Sequence, residues 1–255
     1  MTEKLFDGKN ALITGAYRNL GAVTAETLAR YGASVIINDL DTPELAAEGD
    51  RVLDCIRAYG VQAAAVPADL SKSSEVHRLC RQAIETFKRI DIIVNNAGPF
   101  NIDPYLELNE EMWDMVMDIN LKAIYLTTRE LAPQMKANGW GRIINMCAGS
   151  AFVRNHGVYT LAKVGVQVIT ESLALELGPE ITVNAIAPGQ IRESLPAITQ
   201  FDPTFSERYM ARSPVKRFVT RAEIANIIAL ICSPAFDTMT GMTIQINGGA
   251  EIPRF

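Results

Sequence analysis

Residues 141–163 read GRIINMCAGSAFVRNHGVYTLAK, which is an apolar strand, a loop of small residues and the start of a helix. In that helix Tyr159 and Lys163 are four positions apart, so their side chains share one face. A tyrosine has a pKa of about 10 and is a poor base at neutral pH, but a lysine charge within about 4 Å favours the phenolate. We therefore expect Lys163 to lower the pKa of Tyr159 toward neutrality, so that the phenol exchanges a proton with an alcohol or a carbonyl group.

The composition is that of a globular protein. The 255 residues, 48% apolar and 21% charged, predict one α/β domain spanning residues 1–255. A net charge of −5 without a basic block argues against nucleic acid or a membrane surface as partner. Four cysteines without a CxxC pair and only two histidines give no reason to expect a metal site. Because the sequence shows no signal-peptide core and no apolar run near the ~18 residues of a membrane span, we predict a cytoplasmic location.

Short runs of β-forming residues alternate with helical patterns along the chain. This alternation predicts an α/β fold, a single-domain Rossmann-like doubly wound parallel sheet of about seven strands. Residues 190–218 are expected to be irregular and to form a substrate loop, partly an apolar lid. The expected strands are residues 10–14, 34–39, 61–66, 91–94, 142–146, 182–187 and 242–247. The expected helices are residues 22–31, 43–59, 71–87 (with Ser71 as the cap), 110–136, 157–177 and 222–232.

Glycine and polar residues follow these strands at the point where each strand ends. In a parallel α/β sheet, ligands bind beyond the carboxyl ends of the strands, at a topological switch point. The placement therefore predicts one ligand cleft along that edge. The residues at the strand ends are Gly15, Asp39, Asp69, Asn95, Pro188 and Gly189, together with the loop after Met146.

The first strand is followed by a turn typical of a nucleotide site. Gly15 allows the chain to turn sharply, and Gly21 lets the next helix lie close to the sheet with its N-terminus toward a pyrophosphate. Asp39, at the end of the second strand, can accept hydrogen bonds from both adenosine ribose hydroxyls and would repel a 2′-phosphate. Arg18 favours the opposite choice, since a guanidinium suits a phosphate. We predict NAD as the cofactor, with NADP less favoured.

The order and spacing of these motifs resemble the short-chain dehydrogenase/reductase family over nearly the whole chain. The residues that carry the resemblance are Thr14-Gly15…Gly21, Asp39, Asp69, Asn95-Asn96-Ala97-Gly98, Asn120, Tyr159…Lys163 and Pro188-Gly189.

This resemblance implies a role for each matching position. Tyr159 would be the general acid/base, Lys163 would hold the nicotinamide ribose and lower the tyrosine pKa, and Asn120 would anchor a water in a proton relay. Asp69 would lie beside the adenine ring. The implied cofactor-binding residues are Gly15, Arg18, Asn19, Leu20, Gly21, Asp39, Asp69, Leu70, Asn96, Ala97, Gly98, Tyr159, Lys163, Pro188, Gly189 and Ile191.

The sequence departs from the family pattern at three places. Asn19 replaces a glycine of the nucleotide turn, which asparagine can do because it tolerates left-handed backbone. Glu193 replaces a threonine near the nicotinamide amide.

The third departure is the missing catalytic serine. Alignment on the buried strand places Ala148 at the serine position and makes the following loop two residues shorter, because burial fixes strand register while loops absorb deletions. Ser150 is the predicted replacement. The weaker candidates are Cys147, Asn155 and His156.

Three functions remain open at this point. The leading one is an NAD-dependent oxidoreductase acting on a secondary alcohol or ketone. The second is an NADPH-dependent ketone reductase, favoured by Arg18 and opposed by Asp39. The third is a dinucleotide-binding protein without catalysis, which Ala148 motivates. The family resemblance also implies a homodimer or homotetramer that packs through the helices near residues 110–136 and 157–177.

Overall fold

The computed structural model of the chain describes residues 4–153, 157–200 and 202–252. Its strands form one parallel sheet, which confirms the predicted fold class. The strands are β1 Asn10–Thr14, β2 Ser34–Asn38, β3 Ala63–Ala65, β4 Ile92–Asn95, β5 Gly141–Met146, β6 Ile181–Pro188 and β7 Thr243–Ile246. Their spatial order is β3-β2-β1-β4-β5-β6-β7.

Helices cover both faces of this sheet. They are α1 Asn19–Arg30, α2 Pro43–Arg57, α3 Ser73–Phe87, α4 Glu110–Met117, α5 Ala123–Ala137, α6 Ser150–Val153, α7 Val158–Leu177, α8 Leu195–Thr199, α9 Phe205–Arg212 and α10 Arg221–Cys232. In the parts of the chain that the structure describes, no helix is both long enough and apolar enough to span a membrane.

The five inner strands, β1, β2, β4, β5 and β6, are buried on both faces because side chains alternate between two hydrophobic layers, whereas the edge strands β3 and β7 are only partly buried. Leu12 of β1 is in register with Ile36 and Ile93, and all three pack in the layer of α3 and α5. The next residue, Ile13, packs in the opposite layer with α1, α2 and α10. Continuous apolar runs in the strands therefore reflect burial on both sides.

The chain reverses its winding direction at β1. Strand β1 pairs with β2 on one side and with β4 on the other, so the loops after β1 and β4 diverge at the carboxyl edge of the sheet. This is the topological switch point where open α/β sheets bind ligands.

Three sequence expectations about local structure are wrong. The helix predicted over residues 110–136 is interrupted by a π-helical segment, Asp118–Lys122, between α4 and α5. Residues 190–218 are not irregular, since they contain a short 3-10 turn, Arg192–Ser194, followed by α8 and α9. Ser71 does not cap α3, because its hydroxyl donates instead to Asp69 at 2.7 Å.

Candidate active site

The turn after β1 is shaped by two glycines that lie against neighbouring backbone. Gly15 has a φ of +62°, and a Cβ there would lie 2.9 Å from the Cα of Ala97. A Cβ at Gly21 would overlap the carbonyl oxygen of Gly15 and lie 2.8 Å from the Cα of Ala16. Both positions therefore require glycine for close backbone approach.

The N-terminus of α1 faces this turn without a side-chain cap. Arg18 is the cap residue, and its exposed side chain makes no capping hydrogen bond within the part of the chain that the structure describes. Asn19 has a φ of +55°, which confirms that asparagine takes the left-handed conformation of the glycine it replaces. Uncapped backbone N–H groups at a helix N-terminus form an anion site, so the turn fits a pyrophosphate.

The turn is held to β4 by a set of short hydrogen bonds. The Thr14 hydroxyl oxygen accepts from the backbone N–H groups of Asn96 and Ala97, each at 3.0 Å. The Asn96 side chain donates to the carbonyl oxygens of Thr14 and Gly15, each at 2.9 Å. These bonds fix the switch point through protein groups alone.

The adenosine side of the cleft is acidic. Asp39 follows β2, and its carboxylate accepts from the backbone N–H groups of Leu40 at 3.0 Å and Tyr17 at 3.4 Å. Burial raises the pKa of Tyr17 to about 12, and the charges of Asp39, Asp41 and Asp50 add to the shift. The negative charges of three carboxylates therefore reach the Tyr17 hydroxyl beside the turn.

Asp69 and Leu70 follow β3 at the same edge. Asp69 accepts hydrogen bonds from the backbone N–H and hydroxyl of Ser71 and lies 3.1 Å from the Lys72 ammonium. Leu70 is buried in the α3 layer of the core. Its side chain therefore packs in the core and does not line the cleft.

Tyr159 and Lys163 occupy the first turns of α7 as the spacing predicts. Lys163 is buried, its Nζ donates to the carbonyl oxygen of Met146 at 2.6 Å, and it lies 5.4 Å from the centre of the Tyr159 ring. Burial lowers the pKa of Lys163 to about 8. Burial also raises the pKa of Tyr159 above its ordinary value. The expectation that the Tyr159 pKa is lowered is therefore wrong for the protein without its cofactor. Loss of hydration favours the neutral phenol.

Asn120 lies in the π-helical segment, near Lys163 of α7. Its Nδ2 donates to the carbonyl oxygens of Val116 and Pro99 at 2.9 and 3.0 Å. Its buried Oδ1 has no hydrogen-bond partner among the described residues. A Cβ at Gly98 would overlap this oxygen and lie 3.4 Å from Lys163 Nζ. Since π-helical turns often mark functional sites and orphaned buried acceptors require a partner, the geometry fits a bound water at Asn120.

A cavity of about 1290 Å³ opens at this edge of the sheet. Its lining brings together the predicted catalytic side chains Tyr159, Lys163 and Ser150 with the turn residue Leu20. The lining also includes Asn96, Gly98, Pro188, Gly189 and Ile191 of the predicted cofactor set.

Comparison with known proteins identifies the family of the chain over nearly its whole length. A family model described as enoyl-(acyl carrier protein) reductase matches residues 15–251. A 3-oxoacyl-(acyl-carrier-protein) reductase of Staphylococcus epidermidis is 34% identical over 94% of this chain and 98% of its own length. A subunit of (2S)-((R)-hydroxy(phenyl)methyl)succinyl-CoA dehydrogenase of Thauera aromatica is 34% identical over 95% and 96%. The chain belongs to the short-chain dehydrogenase/reductase family.

Solved structures of this family agree with the fold. A protein of Sinorhizobium meliloti described as a short-chain alcohol dehydrogenase superposes with a TM-score of 0.88 at 30% identity, covering 96% of this chain and 98% of that one. Family membership makes the protein an oxidoreductase that binds a nicotinamide dinucleotide.

The loop after β5 carries Ala148 and the predicted replacement, Ser150. Ala148 lines the cavity, and Ser150 begins the short helix α6, which the sequence did not predict. The Ser150 hydroxyl is buried and has no hydrogen-bond partner within the described ranges. The Cys147 thiol donates to the carbonyl oxygen of Lys163 at 3.2 Å. The other two candidates, Asn155 and His156, lie outside the described residues.

Glu193, another departure from the family pattern, has a structural role here. Its carboxylate accepts from the backbone N–H of Arg221 at 3.2 Å, so it contacts the N-terminus of α10. Neighbouring Ile191 forms a parallel bridge with Val219. Glu193 therefore connects the segment after β6 to α10.

Sequence reasoning missed several residues that line the cavity, among them Phe100 and Glu251. The Phe100 ring packs edge-on against Tyr159, with the ring centres 5.0 Å apart. Glu251, near the end of the chain, places its carboxyl group directly on Gly149. The signal for Glu251 was its position just after Gly248-Gly249, which both have positive φ and turn the chain back toward the cleft.

Proposed function

We propose that the protein interconverts a secondary alcohol and a ketone by hydride transfer with NAD. The observation that carries the proposal is the meeting of Tyr159, Lys163 and Ser150 in one cavity beside the nucleotide turn. Asn120 adjoins them through Gly98. A fold of this class needs none of these side chains together for stability, whereas proton transfer to an oxygen atom needs all of them in reach.

Each residue has a definite task in this reaction. A nicotinamide dinucleotide held at the turn after β1 would supply the hydride chemistry. The neutral Tyr159 phenol is the form that donates a proton to a ketone oxygen, and Ser150 donates a second hydrogen bond to the same oxygen. The buried Lys163 ammonium stabilises the phenolate that remains, and the free Oδ1 of Asn120 holds a water that returns the proton.

Asp39 supports NAD in preference to NADP. Its carboxylate lies just beyond β2, where a ribose 2′-phosphate would meet its negative charge. Arg18 is exposed beside the turn and is the residue that would favour NADP.

A second candidate substrate is a 3-oxoacyl thioester. The specific observation in its favour is the name of the Staphylococcus epidermidis relative. This substrate is also a ketone, so the same four residues would serve it.

A homo-oligomer is proposed from an exposed apolar stripe on α7. Leu161, Val168 and Leu175 are spaced by seven residues, and 44%, 59% and 88% of their surfaces are exposed. Tyr125 on α5 is also exposed. Val168→Glu is expected to reduce the oligomer measured by light scattering to smaller species, whereas Tyr59→Glu, at an exposed position beyond α2, leaves it unchanged. A protein that is monomeric at micromolar concentration contradicts this proposal.

A panel of secondary alcohols and ketones, including an acetoacetyl thioester, tests the function. Each compound is assayed with NAD(H) and with NADP(H), and the values of kcat/KM are compared. We expect turnover with at least about a tenfold preference for NAD, equivalent to about 1.4 kcal/mol. Equal use of NADP contradicts the cofactor choice. Binding of NAD without turnover of any compound favours the non-catalytic alternative.

A further inference from the structure

Glu251 is the carboxyl group nearest to the loop that replaces the family serine. A Cβ on Gly149 would overlap the Glu251 carboxyl oxygens, so this group lies directly on the backbone between Ala148 and Ser150. The Cα atoms of Ala148 and Ser150 are each about 3.8 Å from the Cα of Gly149. Glu251 and Tyr159 line the same cavity. The carboxyl group therefore lies on the loop of Ala148, Gly149 and Ser150, at the wall of the cavity that also holds Tyr159.

The position of Glu251 is fixed from the C-terminal side. Asn247 donates from Nδ2 to Glu251 Oε2 at 2.6 Å. The carbonyl oxygen of Asn247 accepts from the Tyr209 hydroxyl at 3.1 Å, and that hydroxyl accepts from the backbone N–H of Gln190 at 3.1 Å. The segment after β6, helix α9 and the C-terminal turn are thus linked by hydrogen bonds to Asn247, which binds Glu251.

The electrostatic surroundings define what Glu251 can bind. Burial raises the pKa of Glu251, while the hydrogen bond from Asn247 and the charge of Arg212 lower it, so the carboxylate is partly desolvated and partly compensated. An ionised carboxylate offers about four acceptor positions and no donor. The Asn247 side chain occupies one of these positions. A substrate group that only accepts hydrogen bonds, such as a thioester carbonyl, would be repelled there.

From this arrangement we infer that Glu251 is a specificity-determining residue that selects substrates with a hydrogen-bond donor on the carbon next to the reacting carbonyl. The donor is a hydroxyl or an amino group. The inference rests on the proposed alcohol/ketone chemistry, and it disfavours the 3-oxoacyl thioester within that chemistry.

Three ketones of nearly equal size test this selectivity. Hydroxyacetone, aminoacetone and 2-butanone differ only in the group next to the carbonyl. We expect the unmodified enzyme to prefer at least one of the two donor-bearing ketones over 2-butanone by at least about tenfold in kcat/KM, as a hydrogen bond to a charged group implies. Glu251→Leu should remove that preference.

Two further variants separate specificity from structure. Glu251→Gln keeps an acceptor but loses the charge, so it should retain a preference for hydroxyacetone and lose any preference for aminoacetone. Glu207→Leu, at an exposed position on α9, should leave all ratios unchanged. A merely structural role for Glu251 would lower all three rates together and leave the ratios as they are.

Binding measurements distinguish failure of this inference from failure of the proposed function. The dissociation constants of the same ketones are measured on the Tyr159→Phe enzyme with NADH bound, with and without Glu251→Leu. If no ketone is reduced but a Glu251-dependent preference in binding remains, the inference stands and the reaction is a different one. If the unmodified site shows no preference for a donor, or if the preference survives Glu251→Leu, the inference is overturned.

Discussion

On the nucleotide side of the cleft, the Thr14 hydroxyl oxygen accepts two hydrogen bonds and the Asn96 side chain makes two more, all to neighbouring backbone groups. On the substrate side, the buried Ser150 hydroxyl and Asn120 Oδ1 have no partner among the described residues. In the first region, these two side chains make their hydrogen bonds within the protein. The second holds polar atoms whose partners must come from water or a ligand, since buried polar groups are costly when unpaired.

The two regions also differ in what their glycines face. Gly21 lies against backbone, whereas Gly149 lies against the end of the Glu251 side chain. Backbone cannot move aside without disturbing the sheet, but a side chain can change rotamer. The nucleotide side is therefore rigid, and the substrate side is where this family member has room to differ from its relatives.

Loss of the Tyr159 hydroxyl should have the largest effect on turnover. NAD binding on the nucleotide side should remain unchanged. Tyr159→Phe keeps the ring contact with Phe100, so the fold is expected to hold while turnover falls by about 100-fold or more, the usual contribution of a general acid or base. Steady-state kinetics measure the loss, and calorimetric titration with NAD checks the nucleotide side. An enzyme that keeps most of its turnover would show that Tyr159 is not the proton donor.

A matched pair of alanine substitutions tests the difference in rigidity. Gly21→Ala places a Cβ into the Gly15 carbonyl and should lower the free energy of unfolding by about 1–3 kcal/mol, as overpacking does. It should also weaken NAD binding. Gly149→Ala only displaces the Glu251 carboxyl, so its cost should be smaller. Urea unfolding measures both values. Equal destabilisation by the two changes would contradict the comparison.

The Ser150 hydroxyl should be worth less than the Tyr159 hydroxyl but should still be measurable. Removal of one oxyanion donor typically costs about 100-fold to 1000-fold. Because we propose Ser150 as the donor in place of the family serine, we expect Ser150→Ala to lower kcat/KM at least about tenfold. Ala148→Ser should be neutral or should raise activity. If Ser150→Ala has no effect while Tyr159→Phe is inactive, the donor is another group, such as His156 or water.

The smallest expected change is in the ratio of the kcat/KM values for NAD and NADP, which reports on the nucleotide side. Asp39→Ala should erode a preference for NAD of about tenfold, equivalent to about 1.4 kcal/mol, because the carboxylate no longer binds the ribose or repels a 2′-phosphate. The ratio of kcat/KM values for NAD and NADP measures it. Arg18→Ala is the opposing control and should increase the preference for NAD. An unchanged ratio in both variants would place cofactor selection elsewhere.

Local sequence patterns determined most of the scaffold. Strand β1 has the predicted bounds, and the other strands begin and end within two residues of expectation, because a strand buried on both faces requires a continuous apolar run. The turn at Gly15, the left-handed Asn19 and the shared face of Tyr159 and Lys163 follow from backbone sterics and helix spacing. These properties depend on residues close together in the chain.

Only the tertiary structure decided the environment of the reacting groups. Desolvation raised the pKa of Tyr159, although its helix spacing to Lys163 predicted the opposite, because burial depends on everything packed around a group. The π-helical turn at Asn120, the buried hydroxyl of Ser150 and the contact of Glu251 with Gly149 likewise arise from distant segments. Sequence patterns report the neighbours along the chain, whereas electrostatics and hydrogen bonding are set by the neighbours in space.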